Sequence, residues 1–164
     1  MRAFLAFGTS STTIGPALAE HIAFLTCGRI HPDDAQEARN LIAEHWTRCD
    51  GFADSGPLLA KSWKRLGYIS DTKGPLPAEM IVYRARYKGV PDRGLSWTLS
   101  LDIARWYVDY LGGSRARLCG MPTHLDREIV TQTVPAAEVL GWFNERGEHE
   151  IVLAPTRRRK QVRI

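Results

Sequence analysis

The sequence predicts an α+β fold of one domain over residues 1–164, with a mainly helical part at 1–74 and a β-rich part at 75–164. Three observations predict it. Apolar residues recur at helical spacing as far as Leu66, and from Glu79 onward the period changes to two. Between them, Ser70-Asp71-Thr72-Lys73-Gly74-Pro75-Leu76-Pro77 carries no periodicity and reads as a linker within one domain, since neither side alone would bury much surface. Finally, 164 residues with 44% hydrophobic and 24% charged content suit one sizeable core.

Residues 1–15 read as a short strand or arm followed by a Ser/Thr-rich loop, with Pro16 opening a helix at its first turn. That helix runs to Cys27 with Leu18, Ile22 and Leu25 on one side, and Gly28 stops it. His31-Pro32-Asp33-Asp34 starts a second helix, its acids suited to the positive N-terminal end, with Ala38, Leu41, Ile42, His45 and Trp46 inward. A third helix covers Leu58 to Leu66 and ends at Gly67, with Leu59, Trp63 and Leu66 inward. Trp46 and Trp63 read as core residues.

In the second half, Met80 to Tyr87 reads as a strand with Ile81, Tyr83 and Ala85 on one face and Val82, Arg84 and Arg86 on the other. Leu95 to Leu99 is a short strand, and Ser100 caps a helix from Leu101 whose inner side carries Ile103, Ala104, Tyr107 and Leu111. Trp106 is expected in the core. Arg115 to Cys119 reads as a strand, Glu128 to Val134 as another, and Pro135 to Phe143 as one or two helical turns. The last two strands come from the opening stretch and the basic tail.

No run approaches the roughly 18 apolar residues of a membrane span, no signal peptide is evident, and a cytoplasmic location is expected. Cys27, Cys49 and Cys119 form no metal-binding spacing and read as reduced, mostly buried thiols. His21, His31, His45 and His124 read as structural, and no metal site is expected. Five cations, Arg157, Arg158, Arg159, Lys160 and Arg163, exceed the whole net charge of +4, so the body is near neutral. The tail reads as a solvated edge strand, and nucleic-acid binding through Arg157–Arg163 is the sharper alternative.

Chemistry concentrates in three segments. Arg84 is a cation within the hydrophobic run Ile81-Val82-Tyr83-Arg84, where burial calls for a partner. Gly94-Leu95-Ser96-Trp97-Thr98 sets two hydroxyls on one side of a short strand. Glu148-His149-Glu150 opens the apolar run Ile151-Val152-Leu153. In a continuous strand the two acids share a face about 7 Å apart, with His149, Ile151 and Leu153 facing inward. Like charges so placed cost stability unless a ligand or cation uses them.

In this order and spacing, Tyr83-Arg84, Ser96-Trp97-Thr98 and Glu148-His149-Glu150 resemble the active site of the mono-ADP-ribosyltransferase superfamily, in its Arg / Ser-x-Thr / Glu-x-Glu branch. Small bacterial and phage proteins with a similar skeleton carry it after a helical N-terminal part. The resemblance covers about residues 80–155 and implies two small, mostly antiparallel sheets in a split sandwich, with NAD in the cleft between them.

It also implies roles. Glu150 would bond a ribose hydroxyl and stabilise an oxocarbenium-like state as the nicotinamide–ribose bond breaks. Glu148 would orient or deprotonate the acceptor, which in relatives is often an arginine guanidinium of a protein. Arg84, next to Tyr83, would hold the dinucleotide phosphates or the adjoining ribose. Ser96 would brace Glu150, Thr98 would support the strand, and Trp97, Trp106 or Tyr107 would wall the nicotinamide. Glu145 is a third carboxylate able to take either acidic role. The implied activity is transfer of ADP-ribose from NAD to a macromolecule. An NAD glycohydrolase and a catalytically silent binding protein on the same fold are the alternatives, the latter permitted by Ala85, where relatives often have glycine, and by bulky Trp97.

Overall fold

The computed structural model describes residues 11–48, 56–89, 94–112, 126–155 and 162–163. The chain divides into two compact units, Met1–Ile69 and Ser70–Ile164. Among the described residues there are four helices and one seven-stranded mixed sheet.

The first unit holds α1 (Ser11–Leu25), α2 (Pro32–His45) and α3 (Gly56–Leu66). α1 starts before Pro16, which sits inside the helix rather than in its first turn. α2 begins as expected: the His31 side chain accepts from the Asp33 amide at 3.3 Å, with Pro32 in the first turn. The three helices pack on one another through Leu18, Ile22, Ala38, Ile42, Leu59, Trp63 and Leu66. Trp46 and Trp63 meet edge to face at 5.0 Å, as core residues do. The helix ends are held by arginines. Arg65 donates to the carbonyls of Thr26 and Gly28, and Arg39 to that of Leu66, which supplies partners to carbonyls a helix terminus leaves open. Gly67, at φ +81°, ends α3 with its amide on the Trp63 carbonyl. Cys27 is exposed, against the expectation of a buried thiol, because it lies beyond the last turn of α1.

The sheet comprises β1 (Ile69–Ser70), β2 (Glu79–Tyr87), β3 (Ser96–Thr98), β4 (Arg127–Pro135), β5 (Val139–Phe143), β6 (Glu150–Leu153) and β7 (Val162–Arg163), in the order β1-β5-β6-β3-β2-β4-β7. This corrects the expected pair of small sheets: β3 bonds to β2 on one side and β6 on the other, so a single sheet forms. Met80, Val82, Trp97, Val130, Val134, Val139, Ile151 and Leu153 build a core on one of its faces. α4 (Leu101–Gly112) packs against β2, β3 and β4. Its cap is as expected, with the Ser100 hydroxyl accepting from the Ile103 amide at 3.3 Å.

Two further expectations are corrected. Residues 139–143 form a strand, with only a 3₁₀ turn at Ala136–Glu138, because the run Val-Leu-Gly-Trp-Phe is largely buried and shows no alternation. Trp106 is 56% exposed, stacked on Tyr110 at 5.2 Å and edge-on to Tyr107 at 4.9 Å. The tail supplies β7 at the sheet edge, where Arg163 meets Glu128 at 3.1 Å while Arg86 meets the same carboxylate at 2.8 Å. The expected strands at residues 1–7 and 115–119, and Arg157–Lys160, Cys49, Cys119 and His124, lie outside the described residues. No described helix is long and apolar enough to cross a membrane.

Gln132, buried opposite Val82, has neither carboxamide atom bonded to a protein group among the described residues. An unsatisfied buried amide costs about 1–3 kcal/mol. Gln132→Met, similar in volume, is therefore expected to raise unfolding stability by about 1 kcal/mol in urea titrations.

Candidate active site

The three chemistry-bearing segments sit on adjacent strands. Tyr83 of β2 is opposite Thr98 of β3, and Thr98 is opposite Glu150 of β6, so these three residues form one row across the sheet. Neighbouring residues along a strand point to opposite faces. Arg84 and Trp97 therefore lie on the other face, where the Arg84 guanidinium stands 5.9 Å from the Trp97 ring centroid. Trp97 is buried in the core cluster, which removes it as a nicotinamide wall. The guanidinium also packs on the Cα of Gly94, and a side chain there would overlap it.

Ser96 is exposed and opposite Val152, so it does not brace Glu150 as expected. Thr98 ties down the backbone before Glu150 instead. Its hydroxyl donates to the Glu148 carbonyl at 2.7 Å and accepts from the Ser100 amide at 3.1 Å. One residue on, the Leu99 amide donates to the His149 carbonyl at 3.1 Å. The backbone of the Glu-His-Glu segment is thereby tied to the end of β3.

That segment is not a continuous strand. β6 begins at Glu150, and His149 has φ +47°, the left-handed region. The alternation that would put both acids on one face and His149 inward therefore fails, and His149 is exposed. Glu148 lies instead on a tight turn that leads into β6. The Asn144 side-chain oxygen accepts from the His149 amide at 3.1 Å, and the Asn144 carbonyl from the Gly147 amide at 2.9 Å. Asp71 secures the turn's first amides: its carboxylate accepts from Asn144 and from Glu145, each at 2.9 Å. Ser70 adds a bond from its hydroxyl to the Trp142 carbonyl at 2.7 Å. The expected linker is thus a clamp on the turn that presents the carboxylates. Its Ser-Asp-Thr composition signalled backbone-bonding side chains, but nothing local pointed to partners some seventy residues away.

Glu148 is held at both oxygens. The Tyr107 hydroxyl donates to Oε2 at 3.1 Å, and Arg146 meets Oε1 at 3.0 Å. Tyr107 thus contacts a carboxylate through its hydroxyl. Burial pushes its phenol well above the ordinary value of 10, and the Glu148 charge and its accepted hydrogen bond add to the rise. The Arg146 charge opposes the rise, and the Glu150 charge adds slightly to it. Glu145 is exposed on the turn. Among the described residues no group of three or more His, Cys, Asp or Glu could hold a metal ion.

Two outcomes follow from this geometry. In the folded state Tyr107 keeps a proton that the unfolded chain releases above pH 10, so stability falls as pH rises past that value. Tyr107→Phe is expected to flatten this fall in denaturant titrations between pH 9 and 12; an unchanged slope would assign it to other groups. At His149, the left-handed backbone costs a non-glycine residue about 1 kcal/mol. His149→Gly is expected to be near neutral, strain relief being offset by a looser unfolded chain, and His149→Val to destabilise by about 1–2 kcal/mol.

Comparison with protein families, curated proteins and solved structures gives no match to this chain.

Proposed function

We propose that the chain is an NAD-dependent mono-ADP-ribosyltransferase that attaches ADP-ribose to a macromolecular acceptor and releases nicotinamide. The observation that carries this reading is the strand order β6-β3-β2, which sets the Glu-x-Glu segment beside the Ser-x-Thr and Arg segments although Glu148 lies 50 residues beyond Thr98. A protein acceptor that attacks the ribose carbon through a nucleophilic side chain such as arginine fits the turn that carries Glu148.

The division of labour follows from charge. Breaking the nicotinamide–ribose bond leaves positive charge on the ribose, and a carboxylate beside that carbon lowers the barrier. Glu150, in the Tyr83–Thr98–Glu150 row, takes that part. The acceptor's nucleophilic atom then bonds to the same carbon as nicotinamide leaves, and Glu148 orients it and takes the proton it gives up. Glu148 is an anion already engaged by Tyr107 and Arg146, so the acceptor displaces Arg146, the more exposed partner. Arg84 remains the group for the dinucleotide phosphates in this reading, and it serves them only by swinging away from Trp97 and Gly94.

One observation favours a silent binding module instead: Arg84 and Glu150 occupy opposite faces of the sheet. Incubation of the purified protein with labelled NAD and cell lysate separates the two. Transfer of label to macromolecules, reduced at least a hundredfold in Glu150→Gln, is expected. Equal labelling by the variant would sink the assignment. Free ADP-ribose without labelled macromolecules would instead select the glycohydrolase, and absence of both would leave the binding module.

A further inference from the structure

Resting on the transferase reading, we propose that Tyr107 of α4 is the positioning residue for Glu148, holding that carboxylate toward the acceptor while Arg146 closes its other oxygen. The bond joins two elements 41 residues apart in sequence, at 3.1 Å from the phenol oxygen to Glu148 Oε2. It is half-buried, so water competes for it less than for a surface contact. A hydrogen bond to a charged acceptor is among the stronger kinds. The Tyr107 ring is itself braced, edge-on to Trp106 at 4.9 Å and to Tyr110 at 6.0 Å. Tyr107 therefore cannot turn away without breaking up that aromatic cluster.

The two partners of Glu148 differ in kind. Tyr107 is a neutral donor on a helix packed against three strands. Arg146 is a nearly half-exposed cation on the same turn as the acid it binds. An incoming cationic or hydroxyl nucleophile replaces Arg146 at Oε1, whereas the phenol stays at Oε2. The phenol cannot act as a proton acceptor here, because ionising it would set a second negative charge beside Glu148. Its part is to fix the direction of one carboxylate, and the helix reaches the reaction only through that carboxylate.

In this reading water, small and free to turn, attacks the ribose carbon without Glu148, whereas a bulky acceptor side chain is held in line by it. Tyr107→Phe should then lower transfer to the acceptor roughly tenfold, the usual effect of losing one such bond, while nicotinamide release with water as acceptor and the KM for NAD stay near wild type. Tyr107→Phe in a Glu148→Gln background should add nothing further, since the group it acts through is already gone. The side-chain carboxyl ¹³C resonance of Glu148 at pH 7 gives a readout free of activity. It should move in Tyr107→Phe and stay in place in Tyr110→Phe. An unmoved resonance overturns the proposal whatever the enzyme does. A moved resonance with transfer and hydrolysis falling together, or neither falling, overturns the positioning role. A moved resonance with no nicotinamide release by the wild-type protein overturns the transferase reading, and the role with it, but leaves the contact standing.

Discussion

The sheet depends on a strand of three residues. β3 is all that joins β2, β4 and β7 to β6, β5 and β1 among the described residues. So short a strand has few ladder bonds to offer, and its neighbours extend the seam. The Leu153 amide bonds to the Leu95 carbonyl, the Leu99 amide to the His149 carbonyl, and the Thr98 hydroxyl to the Glu148 carbonyl. Trp97 anchors the middle by burying its ring among Val82, Val130 and Ile151. Losing that ring would empty a large volume beneath this bridge between the two halves of the described sheet.

The same seam explains why the carboxylates stand where they do. A left-handed residue between two acids would be a liability in a free loop. Here the amide of His149 is bonded to Asn144 and its carbonyl to Leu99, so the unusual backbone is held from both sides. Glu148 is then met by a phenol from α4 and a guanidinium from its own turn. Positive and polar groups offset the repulsion that an isolated pair of acids would suffer. Farther along the sheet Glu128 is treated alike, set between Arg86 and Arg163.

Much of this could be read from residue order, and the reasons are local. α2 and α3 announce themselves through His31-Pro32, Gly67 and apolar spacing, while β2 and β4 show alternation. β5 carries no such mark, because a strand covered on both sides loses the period of two. Trp106 was misplaced because apolar character does not by itself say which way a helical residue turns, and stacking on Tyr110 keeps it outside. One sheet rather than two is a matter of long-range pairing, on which periodicity is silent. At the candidate site the order of the three segments is legible but their faces are not: His149's backbone breaks the alternation, and it is Thr98 that bonds the Glu148 carbonyl. Asp71 and Asn144, which shape the turn, carried no signal beyond being turn-forming residues.

The seam has a consequence for how the molecule is made. Thr98 and Glu148 are 50 residues apart, and closing a loop of that length must come before their bond can form. On a growing chain, β2 and β3 leave the ribosome long before β6, and β3 waits with one edge unpaired. The carboxylate pair is therefore assembled late, by the arrival of its own strand. A chain interrupted before Leu153 would hold the cation and the hydroxyls but have no place to set the acids.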